Sequence, residues 1–91
     1  MSLTRGLHLN ISLGTTQREI LAGNPKRVYC LLLNDSTSVM YVSLGIPAVV
    51  NEGIRLNGSG GYFEINLSNP WLGRIYAVSS ASSKKLMVTE Y

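Results

Sequence analysis

The chain has 91 residues, of which 45% are hydrophobic and 14% charged, with eight Lys and Arg against five Asp and Glu for a net charge of +3. This describes one domain over residues 1–91, and by size scaling such a domain buries only about 60 to 70% of the surface its unfolded chain exposes. A single Cys excludes an internal disulfide, one His and one Cys cannot assemble a zinc site, and scattered basic residues do not form the stripe of a dedicated nucleic-acid reader.

The opening "MSLTRGLHLNISLG" contains an Arg and a His and then alternates, which does not describe a secretion signal. No stretch approaches the roughly 20 apolar residues of a membrane span, so the expectation is a soluble protein made in the cytoplasm of its host cell. Within that opening, "LHLNISL" sets Leu7, Leu9, Ile11 and Leu13 on one face and His8, Asn10 and Ser12 on the other. Period-two alternation of this kind predicts a strand with one wet face. "GTTQ" turns the chain, and "REILA" is a short strand or a helical turn. Pro25 in "GNP" lacks an amide hydrogen, biases Asn24 toward an extended conformation and so breaks regular structure.

"RVYCLLLNDSTSVMYVSLG", residues 27 to 45, reads as a hairpin of two strands around a polar turn, each apolar on both faces. Val28, Cys30 and Leu32 share one side, and Tyr29, Leu31 and Leu33 take the other. Met40, Val42 and Leu44 oppose Val39 and Tyr41 in the same way. Cys30, inside this run, reads as a small core hydrophobe rather than a reactive thiol. One face of each strand belongs to the core, and the other needs a second layer. We expect that layer to be another copy of the chain, rather than the first strand and the "NPWLG" loop of the same subunit.

Short extended pieces follow through "GIPAVVNEGIRLNGSGGYFEIN", with "NGSGG" as a flexible glycine turn. "LSNPWLG" is a loop that carries the only Trp. "GRIYAVS" and "KKLMVTEY" read as a last hairpin across "SASS". No segment has a helical apolar period. Roughly seven or eight short strands, spaced about 8 to 12 residues apart, describe an all-β fold, a small antiparallel β-sandwich or barrel.

Candidate chemistry is sparse. His8 and Asp35 are the sole residues of their types, and a wet-face His with a turn Asp does not compose a Ser-His-Asp relay. Glu19, Glu52, Glu64 and Glu90 read as solvated surface charges. The triplets Asn10-Ile11-Ser12, Asn34-Asp35-Ser36, Asn57-Gly58-Ser59 and Asn66-Leu67-Ser68 match the N-glycosylation pattern by chance in a chain rich in Asn and Ser. No catalytic group, cofactor or metal is expected. The candidate functional residues are instead apolar ones at an interface: Leu31, Leu33 and Tyr41 on second faces, with Trp71 and Leu72 in the loop, Trp being enriched at interface hot spots.

Residues 26 to 91 resemble a small β-sandwich domain encoded among the virion structural genes of tailed bacteriophages and prophages. The resemblance lies in "RVYCLLLNDSTSVMYVSLG", "EGIRLNGSGGYFEIN" and "GRIYAVSSASSKKLMVTEY". It falls on Arg27, Asn34, Ser36, Gly45, Gly53, Ile54, Leu56, Glu64, Gly73, Ile75, Tyr76, Ala77, Val78, Thr89 and Glu90. It implies a non-enzymatic virion component of capsid-decoration, spike or fibre-base type, located in the virion and working as a homo-oligomer beside other virion proteins. Two other readings remain open: a carbohydrate- or host-surface-binding module, and a weak nucleic-acid-binding small barrel using aromatics such as Tyr62 and Phe63.

Overall fold

A computed structural model describes residues 5–91; residues 1–4, part of the opening stretch read above for a secretion signal, lie outside the described residues. Among the described residues eight strands follow in chain order: β1 (Leu7–Leu13), β2 (Arg18–Leu21), β3 (Cys30–Asn34), β4 (Met40–Leu44), β5 (Ile54–Leu56), β6 (Tyr62–Ile65), β7 (Ile75–Ser79) and β8 (Lys84–Glu90). "REIL" is therefore the strand β2 and not a helical turn. The strands form two antiparallel four-stranded sheets, ordered β1-β8-β3-β6 and β2-β7-β4-β5. First pairs with last, second with seventh, third with sixth and fourth with fifth, so the chain is one long hairpin rolled into a sandwich. That order is a jelly roll.

Two expected hairpins do not exist. β3 lies in one sheet and β4 in the other, and β7 and β8 are likewise divided between the sheets. Stacked across the sandwich rather than side by side, β3 and β4 oppose their inward sets Cys30, Leu32 and Met40, Val42, all fully buried in one core. The chain crosses between the sheets at Asn34, which has no exposed surface. Its Nδ2 donates to the Ser38 carbonyl at 2.6 Å and the Leu56 carbonyl at 3.0 Å, and its Oδ1 accepts from Ser36 Oγ at 2.7 Å. A buried amide so satisfied fixes the crossing geometry. It also places one of the glycosylation-like asparagines in the interior.

The core alternates as strands require. Leu13, Leu32, Ile65, Leu86 and Val88 from the first sheet meet Met40, Val42, Leu56, Ile75 and Ala77 from the second. A smaller cluster lies on the outside of the second sheet. There Tyr41 and Val78, cross-strand partners, are covered by Ala48 and flanked by Val39 and Tyr76. Ala48 belongs to the loop from 45 to 53 that joins β4 to β5, and Tyr41 donates its hydroxyl to Asn51 Oδ1 in the same loop at 2.9 Å. Gly53 takes φ +83° to bring this loop back, and the Val42 carbonyl oxygen occupies the place a β-carbon there would crowd.

Candidate functional site

The outer face of the first sheet is where β3 keeps its second set of side chains. Strand register aligns them in rows. Asn10, Met87, Leu33 and Tyr62 succeed one another across β1, β8, β3 and β6, and beside them run His8, Thr89, Leu31 and Glu64. Leu31 and Leu33 are half-buried, while Met87 is 45% and Tyr62 64% exposed. Met87, Leu33 and Tyr62 thus make an apolar stripe across three strands, about 10 Å wide at the usual strand spacing.

Polar contacts frame the stripe. His8 Nδ1 lies 3.1 Å from Thr89 Oγ1. Tyr29 donates its hydroxyl to Glu64 Oε2 at 2.6 Å and stacks on Tyr91, with ring centroids 5.1 Å apart. The Glu64 hydrogen bond, followed by burial, pushes the Tyr29 phenol up to about 12. Cys30 faces the core from the same strand, and burial pushes its thiol up to about 12, which keeps it neutral and unreactive.

The remaining expected interface residues part company. Tyr41 is 6% exposed beneath the loop of its own subunit, so half of the second-layer question is answered within one chain, by a segment not expected to supply the cover. Trp71 packs against the main core; its Nε1 donates to the Arg74 carbonyl at 3.0 Å and its ring lies over Gly45 and Gly73. Leu72, next to it, is exposed. Ile46, Val49 and Val50 are also exposed, in the loop that covers Tyr41. Under that loop Ser43, Ile46, Pro47, Val49, Glu52 and Gly53 line a hollow of about 110 Å³. That is well below the roughly 300–1,000 Å³ of a small-molecule pocket.

No known family model matches this chain, nor does any curated protein or solved structure.

Glu90 is not a solvated surface charge. It points inward from β8 and meets Arg27 Nε at 2.6 Å, with both side chains nearly or wholly buried. Arg27 also donates through Nη1 to the carbonyls of Trp71 and Gly73, at 2.9 and 3.0 Å, and through Nη2 to that of Ala22 at 2.9 Å. One guanidinium thereby ties the loops before β3 and before β7 to the last strand. Phe63, grouped with Tyr62 in the nucleic-acid reading, faces the opposite side of β6 and packs on the core. The two aromatics do not form one stacking platform. Among the described residues no group of three or more His, Cys, Asp or Glu is placed to hold a metal, and no helix is long and apolar enough to cross a membrane. Tyr62 and Met87 complete the stripe that Leu33 begins. Alternation marks Met87 as outward, but only the sheet order brings it beside Leu33.

Proposed function

We propose that this chain is a non-catalytic structural protein of a virion, a jelly-roll module that works by association with copies of itself through the outer face of the β1-β8-β3-β6 sheet. The observation that carries the reading is the stripe Met87, Leu33 and Tyr62 on a sheet face that the subunit leaves uncovered. Jelly rolls recur in viral capsid domains, which is analogy of fold and supports the class only. The carboxylates of Glu90 and Glu64 serve Arg27 and Tyr29, which supports a structural rather than a catalytic use of these groups.

Leu33 points away from the core, so Leu33→Asp tests the face without emptying the interior. The wild-type chain should sediment as an oligomer at micromolar concentration, and the variant as a smaller folded species with an unchanged far-ultraviolet circular dichroism spectrum. A wild-type monomer that persists at tenfold higher concentration overturns the oligomeric part. Absence of the chain from gradient-purified particles that contain the other structural proteins overturns the virion part. A second reading, glycan binding, is favoured by the exposed ring of Tyr62 in a fold that also serves lectins. A glycan array without a hit removes it.

A further inference from the structure

The four strands at the sheet edges are not alike. β2 has four residues, among them Arg18 and Glu19, and its pairing with β7 shifts register between Glu19 and Leu21. β5 has three residues with Arg55 in the middle, and β6 has four including Glu64. Shortness, charge and irregular register are the devices by which proteins keep edges from pairing with other chains. β1 has none of them. It runs seven residues, Leu7–Leu13, without a charged residue or a proline, and it pairs with β8 in unbroken register along its whole length. Its other edge has no backbone partner among the described residues.

The inward face of β1 is also unfinished. Leu13 is fully buried, but Leu9 and Ile11 are only partly covered and Leu7 is 42% exposed. The sandwich is open along this strand, so unpaired amides and half-covered aliphatic side chains lie together. The order of residues supplies the remaining observation. About Asn10 the strand is a palindrome in polarity: Leu9 mirrors Ile11, His8 mirrors Ser12 and Leu7 mirrors Leu13. An antiparallel partner is therefore best supplied by the same strand.

We propose that β1 is the pairing edge for β1 of a second copy, the two strands running antiparallel about a two-fold axis at Asn10. This rests on the reading that the chain assembles with itself, and it adds to the face contact of that reading a second contact at the sheet edge. Leu7 then lies opposite Leu13 of the second copy, and Leu9 opposite Ile11. All four aliphatic residues of each strand stay on the core side, and Asn10 faces its own counterpart on the outer side. The two four-stranded sheets become one of eight strands, and the pair is isologous and closed. Backbone hydrogen bonds supply affinity, and the matched side-chain alternation sets the register.

The test uses the axis. Asn10 is exposed on the outer face, so a long charged residue fits there in a single subunit. Asn10→Lys and Asn10→Glu each set like charges opposite one another across the axis, and each alone should weaken self-association about tenfold or more. Mixing the two variants should restore a one-to-one dimer. Rescue by mixing requires that position 10 meets itself. Independently of charge, Asn10→Cys should be joined to its counterpart by a short thiol cross-linker, while buried Cys30 stays unlabelled.

Sedimentation of wild type, the two variants and their mixture separates the outcomes. A wild-type monomer overturns both this proposal and the oligomeric reading beneath it. A wild-type oligomer that Leu33→Asp dissolves and Asn10→Lys leaves intact overturns the β1 pairing alone. Variants that dissociate singly and are not rescued by mixing overturn the two-fold register at Asn10, as does a dimer of Asn10→Cys that does not cross-link.

Discussion

Replacing Glu90 by Gln takes away the carboxylate that meets the Arg27 guanidinium at 2.6 Å, in a place where the two side chains are 7% and 0% exposed. Breaking one side of a buried pair costs about 3 to 5 kcal/mol, because the remaining charge is left without compensation. Gln keeps an acceptor oxygen, so the expected loss is at the lower end, about 3 kcal/mol. Arg27→Met does more. It strips donors from the carbonyls of Trp71, Gly73 and Ala22 as well, two of them at 2.9 Å and one at 3.0 Å, and leaves Glu90 buried alone. Its expected cost is about 4 to 6 kcal/mol, which approaches the whole reserve of a small domain. The double variant Arg27→Met with Glu90→Gln removes both charges together, and it should cost at least about 2 kcal/mol less than the sum of the two single changes. Urea unfolding measures all three. At an m-value of about 1.5 kcal/mol/M, the Glu90→Gln loss moves the midpoint down by about 2 M without changing the slope. A shift equivalent to less than about 1 kcal/mol for Glu90→Gln, or strict additivity in the double variant, refutes the reasoning.

Trp71→Ala should lower stability by about 3 kcal/mol, since the indole is packed on the core but not fully enclosed; calorimetry that finds no loss shows the ring to be dispensable to the fold. Gly53→Ala should cost about 1 to 3 kcal/mol, because φ is +83° and a β-carbon there would sit 2.6 Å from the Val42 carbonyl oxygen; thermal unfolding indistinguishable from wild type contradicts this. The Tyr29 phenol, raised from 10.0 to about 12, contributes stability fully below pH 10 and loses that contribution as pH rises through about 12. Absorbance titration of tyrosinate, compared with a Tyr29→Phe control, should show this late ionisation, and Glu64→Gln should bring it back toward 10. The buried Cys30 thiol follows the same sign, its contribution being whole below pH 9 and declining through about 12, so a thiol reagent should label it only as fast as the protein opens.

The strands were legible because alternation is local. "LHLNISL" and "KKLMVTE" show which residues face inward without reference to any neighbour, and roughly seven or eight extended segments follow from that period and its punctuation, with "REILA" too short to separate strand from helical turn. Pairing was not legible. A polar turn of a few residues between two apolar strands looks the same whether the strands lie side by side or stack across a core, and in a rolled hairpin the partners of β3 are β8 and β6, far along the chain. The cover over Tyr41 was hidden for a related reason: Ala48 is one small residue in a loop, and nothing in "GIPAVVNEG" shows which sheet it returns to. The inward place of Glu90 is legible as well, although its charge argues for the surface. Leu86, Val88 and Glu90 share one parity, which already placed the carboxylate inward, and Arg27 was its natural counter-charge. On the candidate face, Leu31 and Leu33 followed from alternation, but Met87 and Tyr62 required knowing which strands flank β3.

The rolled topology also sets a timetable for synthesis. β1 pairs with β8, the last of the eight strands, so it has no partner in its own sheet until the ribosome has passed Lys84. At about 5 to 20 residues per second, that leaves β1 waiting on the order of ten seconds as an uncharged, alternating segment. Neighbouring ribosomes on one message hold identical segments during the same interval. If β1 is the pairing edge proposed above, a strand that waits this long beside its twins has the means to find a second copy before its own sandwich closes, and association would begin while the chains are still being made.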